Sequence, residues 1–500
     1  MSSFDIRANL PNVVRKAHEL RDQREQGETD SRRTLWQHAV LVNAAHVQHL
    51  SSGEVIDANV STAIFRALDS VYRASAPAET AGSGVVRDIE ERVDALIPGE
   101  IAGAATLGAS RVETLATALR MTWREGAADV LQRSVAFRAA LLDLADVHAV
   151  TVMAAVWDRR PANPTTLAHF LGGAIGPLAL AAERLKLAIP WVDRSPFGAG
   201  VMTGEVMGME REEVAASLGF ARPIDNTLDA LGSVEDLVAL AEAVGANLAA
   251  SRRLMSELLT WIRTEPTSFF LDERWEATPE PSMPAHTTSA RLEGLVFDLQ
   301  LAEGDVKASV DLLRSLPYGP LGAAWDVVAR AMDRVLESAS RGMRESAEAI
   351  EGALIVNRAY LANRAGRMYT TASDLAPFLM TEEGLSPTAA RQVASLVTSR
   401  LREQNLEASA VTQDIIDSAA VMVIGRELKV EMETLGRYLA PRRFIERRDV
   451  LGSPAPERTR AWLASERSRL EADRAWAAAQ VTRWGTALGG LQALLESDEE

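Results

Sequence analysis

Histidine is the side chain whose ordinary pKa lets it exchange a proton near neutral pH, and this chain has seven: His18, His38, His46, His49, His148, His169 and His286. None stands in an H-E-x-x-H arrangement, so a metal centre is not expected. His46, His49 and His169 fall in helix-like stretches and read as core or surface histidines. His286 differs: it follows a stretch punctuated by Pro279, Pro281 and Pro284 that also carries Ser282. Arg111, preceded by Ser110, offers a planar donor fork that can hold a carboxylate by two hydrogen bonds, or can pair with a helix acid such as Glu113. Asp158 can serve as a base, but Arg159 and Arg160 beside it can equally hold it as an ion pair. There is no cysteine, which excludes disulfides, thiolate metal sites and a cysteine nucleophile. Neither G-x-x-x-x-G-K-[ST] nor a strand-linked G-x-G-x-x-G occurs, so nucleotide phosphates have no evident cradle.

Helices must position these groups. Apolar residues recur at three- and four-residue intervals almost throughout, strand-like alternation is scarce, and the expected fold is all-α with a long bundle. In the stretch from Val135 to Val156, Val135, Leu141, Leu142, Leu144, Ala145, Val147 and Val152 can share one broad helix face. Breakers suggest an N-terminal helical domain over 1–108 and a central bundle over 109–365, with interruptions at Arg159-Arg160-Pro161, 194–200, Arg222-Pro223 and 278–284. A C-terminal helical domain follows over 366–460, and a last helix over 461–500. In that helix Ala477, Val481, Trp484, Leu488, Leu491 and Leu495 form a heptad seam, which calls for a partner helix within the chain or across subunits. The net charge of −16, with no basic block, argues against nucleic acid or an anionic membrane as partner. No signal peptide or membrane span is read, so the expected location is cytoplasmic.

Several segments then resemble one family. Arg194-Ser195-Pro196-Phe197-Gly198-Ala199-Gly200 with Thr203-Gly204 is similar to the R-S-P-L-G-A-G-A-L-A-G-T stretch of argininosuccinate lyases, within the fumarase/aspartase superfamily. Asn226-Thr227-Leu228-Asp229-Ala230 resembles that family's N-S-L-D-A, and a long helix follows it. Ser373-Asp374-Leu375-Ala376 and Val450-Leu451-Gly452-Ser453-Pro454-Ala455-Pro456 resemble marks of its third domain. The resemblance, over residues 30 to 460, implies a three-domain subunit with a five-helix central bundle. It further implies a homotetramer with a twenty-helix core, sites built from segments of three subunits, and no cofactor. The implied chemistry removes a proton next to a carboxylate and expels an amine or hydroxyl from the neighbouring carbon. That requires a base, an acid and donors aimed at a carboxylate whose charge grows in the transition state.

The departures from the family pattern fall on those groups. Where the family has L-H-T-G-R-S-R-N-D, this chain has Ala105 to Glu113: Ser110 and Arg111 remain as carboxylate anchors, Thr106 replaces the histidine and Val112 the asparagine. Where the family has G-Y-T-H-L-Q-x-A-Q-P, Trp157 and Asp158 replace the Thr-His pair, Trp157 reading as a pocket wall and Asp158 as a proton-transfer candidate. In the third segment only Met283-Pro284 match. The family's serine falls on Glu280 or Pro281 with Ser282 just beyond, its lysine on His286 and its asparagine on Thr288. Ser282 and His286 are therefore catalytic candidates, and Thr288 a binding candidate. Asn226 is a binding candidate that, with Asp229, also suits a bracing role. The resulting expectation is a divergent lyase acting by elimination, or reverse addition, on a carboxylate-bearing small molecule other than argininosuccinate. The alternative is an inactive relative serving as a scaffold.

Overall fold

The computed structural model describes residues 34–74, 76, 82–272, 275, 282, 289–319 and 324–496. The chain enters through α1 (residues 34–52), α2 (Ala58–Arg73) and α3 (Ser83–Leu96), then begins α4 (Arg111–Val147), a helix of 37 residues. At 1.5 Å per residue α4 is about 55 Å long. Its start is set locally. Ser110 caps it by accepting the Glu113 N–H at 3.2 Å, while the Glu113 carboxylate accepts the Ser110 N–H at 2.6 Å. This reciprocal pair satisfies two of the N–H groups a helix start leaves open.

Four further long helices complete a bundle with α4: α5 (Leu167–Val192), α8 (Glu235–Thr264) and α10 (Ala324–Glu348) pack on it, and α9 (Ala290–Ser315) packs on α8 and α10. Polar bonds across the bundle fix their directions. Arg120 on α4 reaches Asp236 at the start of α8, Ser134 reaches Asn247, and Trp123 reaches Asp333 on α10. Thus α4, α8 and α10 run one way, α5 and α9 the other. The bundle has a proximal end, where α4 begins, and a distal end, where α4 stops.

Short elements close both ends. At the proximal end, after α5, β3 (Arg194–Ser195) pairs in parallel with β4 (Arg222–Pro223), and α6 (Arg211–Ser217) and α7 (Thr227–Gly232) lie in the same connection. At the distal end β5 (Phe269–Leu271) pairs with β6 (Leu354–Val356). Also there, the helix interruption expected at Arg159-Arg160-Pro161 is the turn of a hairpin of β1 (Val152–Trp157) and β2 (Arg160–Thr166). The helical face anticipated through Val152 therefore ends early: α4 stops at Val147, and Val152 is already in β1.

Beyond α11 (Arg358–Ala365) a second hydrophobic core gathers around Phe378, Val393, Val397, Ile416 and Leu435, within α12 (Leu375–Thr381), α13 (Pro387–Glu403), α14 (Gln413–Ile424) and α15 (Met432–Leu439). After α16 (Pro441–Glu446), α17 (Pro456–Glu496) returns along α4 from the distal to the proximal end of its own subunit. Arg467 meets Asp143 near the end of α4, and Arg483 meets Asp193 at the end of α5. Of its anticipated seam, Ala477, Trp484, Leu488, Leu491 and Leu495 are buried, and only Val481 is half exposed. Among the described residues no helix is long and apolar enough to cross a membrane.

Candidate active site

At the proximal end the segment before α4 meets the connection after α5. Ser110 Oγ donates to the Gly200 carbonyl at 2.7 Å, and the Gly200 N–H donates to Glu113 Oε2 at 2.7 Å. Gly200 has φ +58, and a Cβ there would fall 2.5 Å from the Gly204 carbonyl oxygen, so only glycine fits this junction. Thr227 Oγ1 donates to the Met202 carbonyl at 2.8 Å, tying α7 to the same loop. Asn226 caps α7, its side-chain oxygen accepting the Leu228 and Asp229 N–H groups at 2.9 and 3.1 Å. Glu113 is fully buried. Burial pushes its carboxyl pKa up, against the downward pull of hydrogen bonds from Ser110 and Gly200.

His46 stands behind this junction. Its Nε2 meets the Leu107 carbonyl at 2.9 Å, and its ring lies edge-on to Phe197. The carbonyl can only accept, so Nε2 carries the proton and the buried Nδ1 is left as an acceptor without a partner among the described residues. Burial lowers its pKa to about 4, so it is a neutral strut at physiological pH. Sequence reasoning passed over this network. One signal was available: S-x-x-E at Ser110–Glu113 is the spacing of a reciprocal helix cap.

The other proximal candidates have partners as well. Arg111 is mostly exposed, and its Nε is held by Glu90 Oε2 at 2.6 Å. The acid anticipated for it, Glu113, instead serves the backbone. Thr106 is half-buried in a short 3-10 turn, with Oγ1 at 3.4 Å from the Gly103 carbonyl.

At the distal end Trp157 pairs with Arg160 across the hairpin, and Asp158 and Arg159 form its two-residue tip. Both have positive φ, +50 and +57, as a type I′ turn demands. The β1 strand packs on α11, and β2 on α16. Trp157 is 80% exposed, so among the described residues of its own subunit its ring is largely uncovered. Among the described residues no ion pair links the exposed Asp158 to Arg159 or Arg160. Ser282 is an exposed turn residue on the connection between β5 and α9. His286 and Thr288 lie outside the described residues. His169, at the start of α5, bridges Thr165 Oγ1 at 2.9 Å and the Gly452 carbonyl at 3.0 Å, joining the hairpin to the loop before α17.

The structure therefore brings Ser110, Arg111, Thr106 and Asn226 to one end, and Trp157 and Asp158 to the other. The length of α4 separates the two groups within a subunit. No group of three or more potential metal ligands occurs among the described residues.

A bundle of five long helices with polar segments at both ends defines the class as the fumarase/aspartase type of lyase fold. Comparison with known proteins agrees. EDDS lyase in complex with formate superposes with a TM-score of 0.81 at 22% identity, over 93% of this chain and 92% of that one. Class II fumarase from Schistosoma mansoni gives a TM-score of 0.68 at 14% identity, over 82% and 90%. In sequence the chain is 26% identical to argininosuccinate lyase of Methanoculleus marisnigri over 458 residues, 90% of each chain. It is 29% identical to argininosuccinate lyase of Natronomonas pharaonis over 439 residues, 87% and 86% of the two chains. The pattern of the family described as lyase matches residues 15–279, and the chain belongs to that family.

Proposed function

We propose that this protein is an enzyme performing elimination, or the reverse addition, on a carboxylate-bearing small molecule other than argininosuccinate, as a homotetramer with sites shared between subunits. The observation that carries this reading is the separation of the two polar ends by the length of α4, about 55 Å. One subunit cannot close both groups around a small molecule, whereas a second copy packed antiparallel brings a distal end onto a proximal one. The outward face of α5 supports such packing. Gly173, Pro177, Leu180, Leu187 and Trp191 lie exposed along it at steps of four, three, seven and four residues, with the exposed Arg184 in the longer gap, and Phe297 and Leu301 lie exposed on α9. Apolar seams of this kind favour association between helices.

In the assembled site the proximal end supplies a backbone frame built on Ser110, Glu113 and Gly200, with Arg111 at its rim. The distal end supplies Asp158 and Trp157, and Ser282 and His286 stand as further proton-transfer candidates. A second reading, an inactive relative serving as a scaffold, is favoured by one contact: Arg111 is already held by Glu90.

The test is a pair of measurements. Sedimentation should give a particle of about four times 54.1 kDa, and argininosuccinate should yield no measurable fumarate. A stable monomer would remove the shared site. Robust fumarate release from argininosuccinate would show that the altered segments retain the parent chemistry. A stabilising ligand found by thermal shift among dicarboxylates and amino-acid adducts, and then turned over, decides for the enzyme against the scaffold.

A further inference from the structure

We propose that Arg483, near the end of α17, is a positioning residue for the proximal half of the candidate site, holding the Ser195–Gly200 loop in register through Asp193 and the Gly219 carbonyl. This rests on the reading that the proximal end belongs to a working site. The path runs through six contacts. Arg483 Nη1 donates to the Gly219 carbonyl at 2.7 Å, and Nη2 donates to Asp193 Oδ2. Asp193 is the buried last cap of α5, immediately before β3, and its carbonyl accepts the Ala221 N–H at 3.3 Å. The Ser195 carbonyl accepts the Ile224 N–H at 2.8 Å, which locks β3 to β4. From Ser195 the chain turns through Pro196 and Phe197 to Gly200, whose N–H and carbonyl are taken by Glu113 and Ser110 at the start of α4.

The fit of α17 against this path is close. Gly219 has φ +73, and a Cβ there would lie 3.2 Å from the Trp484 Cα and 3.1 Å from the Ala487 Cβ. Arg124 of α4 completes the joint: it donates to Asp193 at 2.9 Å and to the Leu218 carbonyl at 2.8 Å, with the rings of Phe220 and Trp484 on either side of its guanidinium. The two arginines are not equivalent. Arg124 is fully buried, so its loss leaves Asp193 facing a void in the core. Arg483 is 38% exposed, and when it is lost Asp193 keeps Arg124 as counter-charge. Removing Arg483 therefore frees the joint without leaving a buried charge alone, which separates positioning from stability.

The test is hydrogen exchange on the full-length oligomer. Arg483→Ala should speed exchange in peptides covering 193–204 by tenfold or more, with peptides from α8 and α9 changed less than twofold. Arg483→Lys, which can meet Asp193 or the Gly219 carbonyl but not both with a planar fork, should recover part of the protection. Arg474→Ala, on the same helix and paired with Glu471 three residues away, should leave 193–204 unchanged. If Arg483→Ala does not give a native oligomer, Arg483→Gln provides the same comparison. Fumarate titrated into each protein should bind about tenfold more weakly to Arg483→Ala than to the wild type. Unaltered exchange in 193–204 overturns the proposal, and so does faster exchange with fumarate affinity unchanged. If the wild type itself binds no fumarate, exchange alone decides the positioning claim, and it is the choice of substrate class that fails.

Discussion

The two ends of the bundle carry candidate residues in opposite ways. At the proximal end, side chains meet backbone from distant parts of the sequence: Ser110 and Glu113 hold Gly200, Thr227 holds Met202, and His46 holds Leu107. At the distal end the hairpin is built from neighbours in sequence, and the exposed Trp157 and Asp158 side chains have no hydrogen bond or ion pair among the described residues. Polar atoms that hold a frame are spent on that frame, while groups meant for a ligand must be left unsatisfied until it arrives. By that criterion the proximal polar atoms belong to a frame, whereas the distal Trp157 and Asp158 side chains are committed to none among the described residues.

The largest effect should come from cutting the proximal frame. Glu113→Ala strands the buried Gly200 N–H and the part-buried Ser110 N–H, at about 1–3 kcal/mol for a fully buried group. The expected loss is roughly 3–5 kcal/mol in denaturant unfolding, against about 0.5 kcal/mol or less for Trp157→Ala at the distal tip. Equal losses at the two positions would end the distinction between frame and tip.

A smaller effect is set by pH. The folded-state pKa of His46 is depressed, from 6.5 to about 4, because burial disfavours the charged ring. Its contribution is therefore present above about pH 6.5 and is lost as pH falls through about 4. At ~1.4 kcal/mol per unit the loss is on the order of 3 kcal/mol. His46→Gln keeps a donor for Leu107 and does not titrate, so its melting temperature should fall less steeply between pH 7 and pH 4. Parallel melting curves for the two proteins would show that the proximal end is not closed by a neutral histidine.

The smallest effect belongs to the distal tip. Arg159 occupies the left-handed region at a turn position that favours glycine. Arg159→Gly should raise stability by up to about 1 kcal/mol, read as a small increase in melting temperature. A decrease would mean that the Arg159 side chain anchors the hairpin, and that the tip is not simply presented to a partner.

Periodicity was enough to define much of this molecule. The three- and four-residue spacing of apolar positions marks the long helices, because a helix buries one stripe whatever it packs against. It also marks the seam of α17, apart from the half-exposed Val481. The motif stretches around Arg194–Gly200 and Asn226–Ala230 were legible because tight turns and caps demand particular residue types. The S-x-x-E spacing at Ser110–Glu113 was equally local, and it marks the first turn of α4. The hairpin at 152–166 was less legible, since its Asp158-Arg159 tip lacks the glycine that usually announces a two-residue turn.

Partnership was decided only in three dimensions. Local spacing offers Arg111 the acid two residues on, yet Glu90, from a different helix, takes it. Glu113 instead meets Gly200, 87 positions away. Asp158 stands beside two arginines in sequence and pairs with neither in the hairpin turn. Nor does the order of the motifs reveal that 37 residues of helix hold the first two candidate groups at opposite ends of one subunit. A side chain's neighbours along the chain are set by covalent geometry, but its neighbours in space depend on how the helices pack, and that packing assigns Ser110 to the frame and gives Asp158 no ion pair among the described residues.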